Sequence, residues 1–287
     1  MKIEYINSNP IAILMASYNS QKYIAEQIES IINQSYKFWT LYIRDDGSTD
    51  DTKKIIGDYS RKYDNIILIN DSNGNLGCRD NFFRLLEIVQ SKYYMFSDSD
   101  DVWLPNKVKV SLDEIIKAEK ENPPHTPILI HSDMMIVDQN LNILQQSMWE
   151  SARFNPDKIK TINYLGIHGF IGGATAIFNK EAKRVSIPFS KKVYLHDLWI
   201  GLKVLESGKI ISLHKQLMLY RQHGNNTAGA GEKSKLSLIY KLRNFKKVLK
   251  VNLMTARMLK SIGWGGYTKY LYNKLKLIYL LRSGKAL

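Results

Sequence analysis

The chain has 287 residues, 44% of them apolar and 24% charged, with a formal net charge of +14. This length and balance fit a globular protein with a sizeable core and exclude a disordered or fibrous one. The single cysteine, Cys78, excludes an internal disulfide and makes a reducing, cytoplasmic compartment the expectation. The opening stretch MKIEYINSNP lacks the apolar core of a secretory signal, and no run of about 18 apolar residues occurs that would cross a bilayer.

Ile11–Ala16 is a short apolar run and predicts a buried strand. Ser20 can cap a helix running through Gln34, with Ile24, Ile28, Ile31 and Ile32 on one face. Trp39–Arg44 predicts a second strand, followed by a turn and an acid-rich helix start in DDGSTDDT, 45–52. Ile66–Asn70 and Lys92–Phe96 predict a third and a fourth strand, with a helix over about 79–90 between them. Strands alternating with helices predict a parallel, doubly wound sheet covered on both faces. Further on, a helix is expected over about 106–121, a strand at Ile128–Ser132, and a glycine-led strand in GGATAIF, 172–178. A helix over 194–208 carries Leu198, Leu202 and Leu205 on one side, and YRQHGNNTAG, 220–229, is expected as a polar loop.

Ligands of such sheets gather at the carboxyl ends of the strands. Four polar clusters fall there: SYN (17–19), RDDGS (44–48), NDSNGNLG (70–77) and SDSDD (97–101). One such cluster alone is most often a turn. Four at corresponding places favour a binding site. In the last, Asp98 and Asp100 alternate in extended backbone and can face the same way, with Asp101 directed elsewhere. Crowded carboxylates repel one another, and a hard cation such as Mg²⁺ or Mn²⁺ relieves the repulsion, sharing its coordination with substrate phosphates. The alternative is an acidic surface turn.

The segments ASYN…YIAEQIESIINQS, IRDDGSTDDT, NGNLGCRDNF, FSDSDDVW, GGATAIF, HDLWIGL and YRQHGNN, in this order and spacing, resemble a family 2 glycosyltransferase of the GT-A fold. They are most similar to bacterial polysaccharide rhamnosyltransferases and their relatives, over about residues 11–226. The resemblance implies inverting transfer from a nucleotide-diphospho-sugar, dTDP-rhamnose or a UDP-hexose, to a hydroxyl of a glycan acceptor linked to polyprenyl diphosphate. It implies a GT-A catalytic domain over 1–229, with a nucleotide-sugar half to about 101 and an acceptor half beyond it. A basic helical C-terminal extension would then occupy 230–287.

By the same resemblance, Ser17 and Tyr18 flank the nucleotide, and Asp45 and Asp46 bind its base or ribose. Arg79 lies beside base and phosphates. Asp98 and Asp100 form the DxD motif that binds Mn²⁺ or Mg²⁺ with the donor, Asp100 being the more direct ligand. Gly172 and Gly173 line the sugar pocket, Asp197 is the catalytic base, and His223 completes the metal or diphosphate site. His196, beside the base, would tune it or touch the acceptor. Three departures stand out. Ser99 replaces a glutamine usual in close relatives, His196 replaces an acid often found before the base, and the Gln-x-x-Arg-Trp motif of processive polymer synthases is absent. The last suggests one sugar added per encounter. Read without the resemblance, Asp197 is as well explained as a helix cap. His125, His131, His168 and His214 show no partner pattern and read as structural.

The charge is uneven. From Glu232 to Leu287 there are fourteen Lys or Arg and one acid, whereas residues 1–231 are almost neutral. Leu238, Leu242, Phe245, Leu249 and Leu253 form a helical stripe with Lys241, Arg243, Lys246, Lys247 and Lys250 around it. A second segment mixes Tyr270, Leu271, Leu275, Ile278 and Leu281 with lysines. Such helices suit an anionic membrane surface at the inner face of the cell membrane. Packing on the catalytic body, or on a second copy as a homodimer, is the alternative. Two other readings of the whole chain remain open at this stage. A nucleotidyltransferase could share the acidic sheet edge, although no glycine-rich basic loop follows the first strand. A nucleic-acid-binding protein would suit the tail, but not the acidic rim.

Overall fold

The computed structural model describes residues 9–152, 154–159, 161–169, 171–190, 192–223 and 245–283. Its nine strands form one sheet. β1 (Ile11–Ser17), β2 (Trp39–Asp45), β3 (Ile66–Leu68) and β4 (Tyr93–Ser97) are all parallel, in the order β3-β2-β1-β4. β8 (Ala176–Asn179) then runs antiparallel between β4 and β6 (Ile128–Val137). β9 (Lys209–Arg221) lies parallel to β6 and carries the short β5 (Val102–Trp103) at the edge, while β7 (Ile143–Gln145) pairs with β6.

The apolar runs are continuous because both faces of the strands are buried. Ile11, Ile13 and Met15 enter a core with α1 (Ile24–Ile32), α2 (Thr52–Lys62) and α4 (Lys107–Lys120). Ala12 and Leu14 enter the opposite core, with α3 (Cys78–Ile88), α6 (Ile162–His168) and α8 (His196–Ser207). A side-chain period of two along each strand thus feeds two separate cores. Among the described residues, α5 (Met148–Ser151) and α7 (Lys180–Ser186) are the remaining α-helices before the chain's last two.

Several elements differ from expectation. Ser20 does not cap α1; its hydroxyl is taken by Ser99 Oγ at 2.6 Å, and α1 begins at Ile24 behind a turn. The GGATAIF segment is a strand only from Ala176, because Gly173–Thr175 forms a 3-10 turn. β9 has no clear signal in the sequence. Lys209, His214, Lys215 and Gln216 interrupt its apolar pattern, and its pairing with β6 shifts register at Asp133.

The chain's end forms α9 (Phe245–Ser261) and α10 (Tyr267–Ser283). Residues 230–244, with Leu238, Lys241, Leu242 and Arg243, lie outside the described residues. In α9 the buried face is Thr255, Ala256, Met258 and Leu259, whereas Leu249 of the expected stripe is exposed. The pair packs on α6: Leu259 lies against Gly166, and Trp264 Nε1 donates to Asn163 Oδ1 at 3.0 Å.

Candidate active site

Three of the expected clusters, 17–19, 44–48 and 70–77, bond to one another, and Ser99 of the fourth bonds to Ser20. Ser17 Oγ donates to Asp45 Oδ1 at 3.3 Å, Asn19 N to Ser48 Oγ at 2.9 Å, and Ser48 N to Asp45 Oδ2 at 2.9 Å. This leaves Asp45 half-buried and Tyr18 exposed on the rim. Asp46 points inward instead. It accepts from Arg44 Nη1 at 2.7 Å, Leu76 N at 2.8 Å and Gly77 N at 2.7 Å. Gly77 sits at φ 78°, a conformation a side chain would oppose, and this turn helps aim the two amides at Asp46. Asp46 is 2% exposed, and its carboxylate pins the 70–77 loop.

Asp98 and Asp100 lie just beyond the end of β4, and Ser99 between them turns inward to Ser20. Burial, with Asp100 and then Asp197 close by, pushes the Asp98 carboxyl up to about 7. Asp101 goes elsewhere: its Oδ1 accepts from Arg221 N at 3.1 Å, and it is fully buried near Lys107. Burial and then Asp100 and Asp98 raise the Asp101 carboxyl, and burial lowers the Lys107 ammonium to about 7.

Residues beyond 101 bring Asp197, Gly173 and His223 to this edge. Asp197 lies in the first turn of α8, whose N-cap is Leu195; it is not the capping residue. Its Oδ2 accepts from Gly173 N at 2.9 Å and its Oδ1 from Leu198 N at 2.7 Å. His223 Nε2 is 2.9 Å from Asp100 Oδ2, and its ring stacks on Tyr23 at 4.8 Å. Arg79 grips Asp80 and donates to Val193 O at 2.8 Å, joining α3 to the segment before Asp197. Gly173 lies against Asp197: a Cβ on it would be 2.8 Å from His196 Nε2 and 3.3 Å from Asp197 Cβ, whereas a Cβ on Gly172 would meet only Thr175.

His196 packs inward: it is 6% exposed, stacked on Phe82 at 4.1 Å and edge-on to Phe96 at 4.7 Å. Both ring nitrogens are buried without a hydrogen-bond partner, and burial lowers its basicity, so it backs the Gly173–Asp197 contact as a neutral wall. Of the other histidines, His131 packs on Trp149, and the exposed His125 and His214 pair with Glu181 and Asp157. The side chain of His168 lies outside the described residues.

Two residues that the sequence does not single out complete the edge. Arg221, 2% exposed, donates to the carbonyls of Asp100 (2.8 Å) and Gln139 (2.7 Å), pairs with Glu26, and lies over the Tyr23 ring at 4.6 Å. It therefore holds both Asp100 and, through Tyr23, His223. Cys78 opens α3 on the exposed side. Its thiol is pushed up to about 12 by the protein around it and by Asp98, Asp197, Asp100 and Asp46, so it is no nucleophile.

The carboxylates of Asp98 and Asp100 suit a hard divalent cation, since they crowd each other. Among the described residues no group of three or more His, Cys, Asp or Glu could hold a metal alone. A cation here would take its remaining ligands from phosphate or water, as Mg²⁺ and Mn²⁺ commonly do.

A mostly parallel sheet with an acidic rim at the carboxyl edge of β1–β4, approached by Asp197 from later in the chain, is the arrangement of the GT-A fold. The chain belongs to glycosyl transferase family 2, whose model matches residues 12–182. It is 38% identical over 227 residues to dTDP-rhamnosyl transferase RfbG of Shigella flexneri, covering 75% of this chain and 74% of that one. It is 24% identical over 205 residues to WfgD of Escherichia coli, covering 71% of this chain and 73% of that protein. WfgD is a UDP-Glc:alpha-D-GlcNAc-diphosphoundecaprenol beta-1,3-glucosyltransferase. Among solved structures, S. aureus TarS 1-349 in complex with UDP-GlcNAc matches with a TM-score of 0.55 at 19% identity, over 94% of this chain and 81% of that one. The mannosyltransferase PcManGT of Pyrobaculum calidifontis, in complex with GDP-Man and Mn²⁺, matches with a TM-score of 0.56 at 13% identity, over 97% of this chain and 82% of that one. Membership of this family sets aside the nucleotidyltransferase and nucleic-acid readings.

Proposed function

We propose that this glycosyltransferase moves a sugar, with inversion, from a nucleotide-diphospho-sugar to a hydroxyl of a lipid-linked glycan in cell-surface polysaccharide synthesis. The observation that carries the reading is the close approach of Asp197, from the acceptor half, to the Asp98–Asp100 pair of the donor half. dTDP-rhamnose is the first donor, on the likeness to RfbG; a UDP-hexose is the second, on the likeness to WfgD. A polyprenyl-diphosphate acceptor at the inner membrane face agrees with the substrate in the WfgD name.

Ser17, Tyr18 and Asp45 form the rim that takes the nucleoside. Asp46 acts behind them by fixing the 70–77 loop, and Arg79 supplies positive charge at the junction of the halves. Gly172 and Gly173 bound the sugar pocket. Asp98, Asp100 and His223 would hold Mn²⁺ or Mg²⁺ together with the diphosphate. When bound, such an ion supplies Lewis-acid stabilisation of the departing nucleoside diphosphate. Asp197 accepts the proton of the acceptor hydroxyl. Two amide N–H groups occupy two of its roughly four lone-pair positions and fix its plane, which leaves capacity for the incoming O–H.

A panel of nucleotide sugars with Mn²⁺ or Mg²⁺, assayed for released nucleoside diphosphate, tests the reading. Release from dTDP-rhamnose should vanish on chelation and in Asp100→Ala. Activity indifferent to a chelator would remove the metal from the account.

Gly173→Ala tests the sugar pocket. Its methyl would press on His196, which cannot yield because Phe82 and Phe96 hold it, so Asp197 must move. Displacements of about 1 Å cost roughly 10²-fold in rate. Transfer should fall by that order, and a wild-type rate would show that the Gly173–Asp197 contact is not needed.

A further inference from the structure

We propose that the outward face of α10 docks on an anionic lipid bilayer, placing the acceptor side of the cleft at the membrane surface. The inference rests on the glycosyltransferase reading above and names the surface from which its acceptor is drawn.

α10 is two-sided. Tyr270, Asn273 and Leu277 are buried against the body. On the opposite face Leu271 (43% exposed), Tyr272 (66%), Leu275 (59%) and Tyr279 (58%) stand in solvent. Single exposed apolar residues need no explanation, but four on one helical face form a patch. Between Phe245 and Ser283 there are nine Lys or Arg and no acid. Lys276 adjoins the apolar face of α10, and on α9 Lys250, Arg257 and Lys260 are exposed with Leu249 and Met254.

The occupant follows from this combination. A second copy would set one basic face against another, which like charge opposes. A purely electrostatic partner would leave Leu271, Leu275 and Tyr279 unburied. A bilayer with anionic headgroups answers both features, with the apolar face entering the headgroup region and the lysines meeting phosphate. No described helix is long and apolar enough to cross a membrane, so the contact would be peripheral.

Position links this face to the chemistry. Thr255 of α9 hydrogen-bonds Tyr194, which lies three residues before Asp197 and is close to both Asp197 and Tyr270. The helix pair is thus fastened beside the proposed base. A surface bound to α10 lies alongside the acceptor half, where a lipid-anchored hydroxyl would arrive.

The test uses the full chain with vesicles of phosphatidylcholine alone or mixed with phosphatidylglycerol, read by co-sedimentation. Binding is expected only with phosphatidylglycerol and should weaken as salt rises. Leu271→Glu/Leu275→Glu should reduce it about tenfold or more, while nucleoside diphosphate release in the absence of vesicles stays at the wild-type rate. Equal sedimentation of variant and wild type would overturn the proposal, as would equal binding to uncharged vesicles. So would a wild-type dimer that the double substitution dissociates, which would assign the face to a second copy. Absence of donor turnover in both proteins would count against the catalytic reading alone, because the vesicle measurement does not depend on it.

Discussion

Asp197→Asn is expected to bind the nucleotide-sugar donor as the wild type does and to lose transfer by roughly 10²–10⁴-fold, the range of a positioned general base. The amide is nearly isosteric with the carboxylate but cannot take the acceptor proton. The substitution has a structural side effect that must be separated. Asp197 accepts from both Gly173 N and Leu198 N, and an asparagine has only one oxygen for the two donors. One amide N–H is left facing an NH₂ group, at a cost of about 1–3 kcal/mol if buried. The melting temperature should therefore be read with the kinetics, and donor affinity should be measured by calorimetry. A loss of transfer in a folded, donor-binding protein assigns the base. Turnover within a few-fold of wild type would take Asp197 out of that role and leave it as a clasp on Gly173.

The strands and the acidic rim could be read from the sequence because they obey local rules. Residues 11–16 are apolar throughout since both faces are covered, and Asp98 and Asp100 lie just beyond the end of β4. What could not be read depends on partners distant in sequence. Asp45 and Asp46 are adjacent acids of one turn, and only the amides of Leu76 and Gly77, some thirty residues on, decide which of them faces inward. His196 looked like a site residue because it precedes Asp197. Helix geometry turns neighbouring side chains to different sides, and Phe82 and Phe96 from two other elements claim it. Arg221 lay unremarked in a polar segment, since nothing local indicates that its strand ends beneath Asp100. On α9 the leucine spacing pointed to Leu249, but the body meets the face of Ala256 and Leu259, where small and medium side chains let α6 approach at Gly166.

The largest loss of stability at the site is expected from Arg44→Met, at about 3–5 kcal/mol, the usual result of removing one partner of a buried ion pair. Arg44 is 2% exposed, and each of its guanidinium nitrogens is bonded. Nη1 donates to Asp46 (2.7 Å) and Asn81 (3.2 Å), Nη2 to Asp71 (3.0 Å) and the Gly74 carbonyl (2.8 Å), and Nε to Asp71 (3.2 Å). One side chain thus joins the end of β2 to the 70–77 loop and to α3. Methionine fills a comparable volume but leaves Asp46 a buried anion with only the Leu76 and Gly77 amides. Lysine should not rescue it, because three donors on a point charge cannot match the planar fork. Against a total stability of about 5–15 kcal/mol, a loss of this size shows clearly in urea unfolding. Acid gives a second reading. Burial alone would raise the Asp71 carboxyl, but hydrogen bonds from Arg44, Asn73 and Arg84 overcome it and hold it well below the usual carboxylate range. A group depressed in the folded state stabilises above its unfolded pKa of about 3.9 and loses that contribution as pH falls further. The gap between wild type and Arg44→Met should therefore narrow below about pH 4. A loss under about 1 kcal/mol at neutral pH, or a gap that widens in acid, would mean that the loop is held by its amides and not by this arginine.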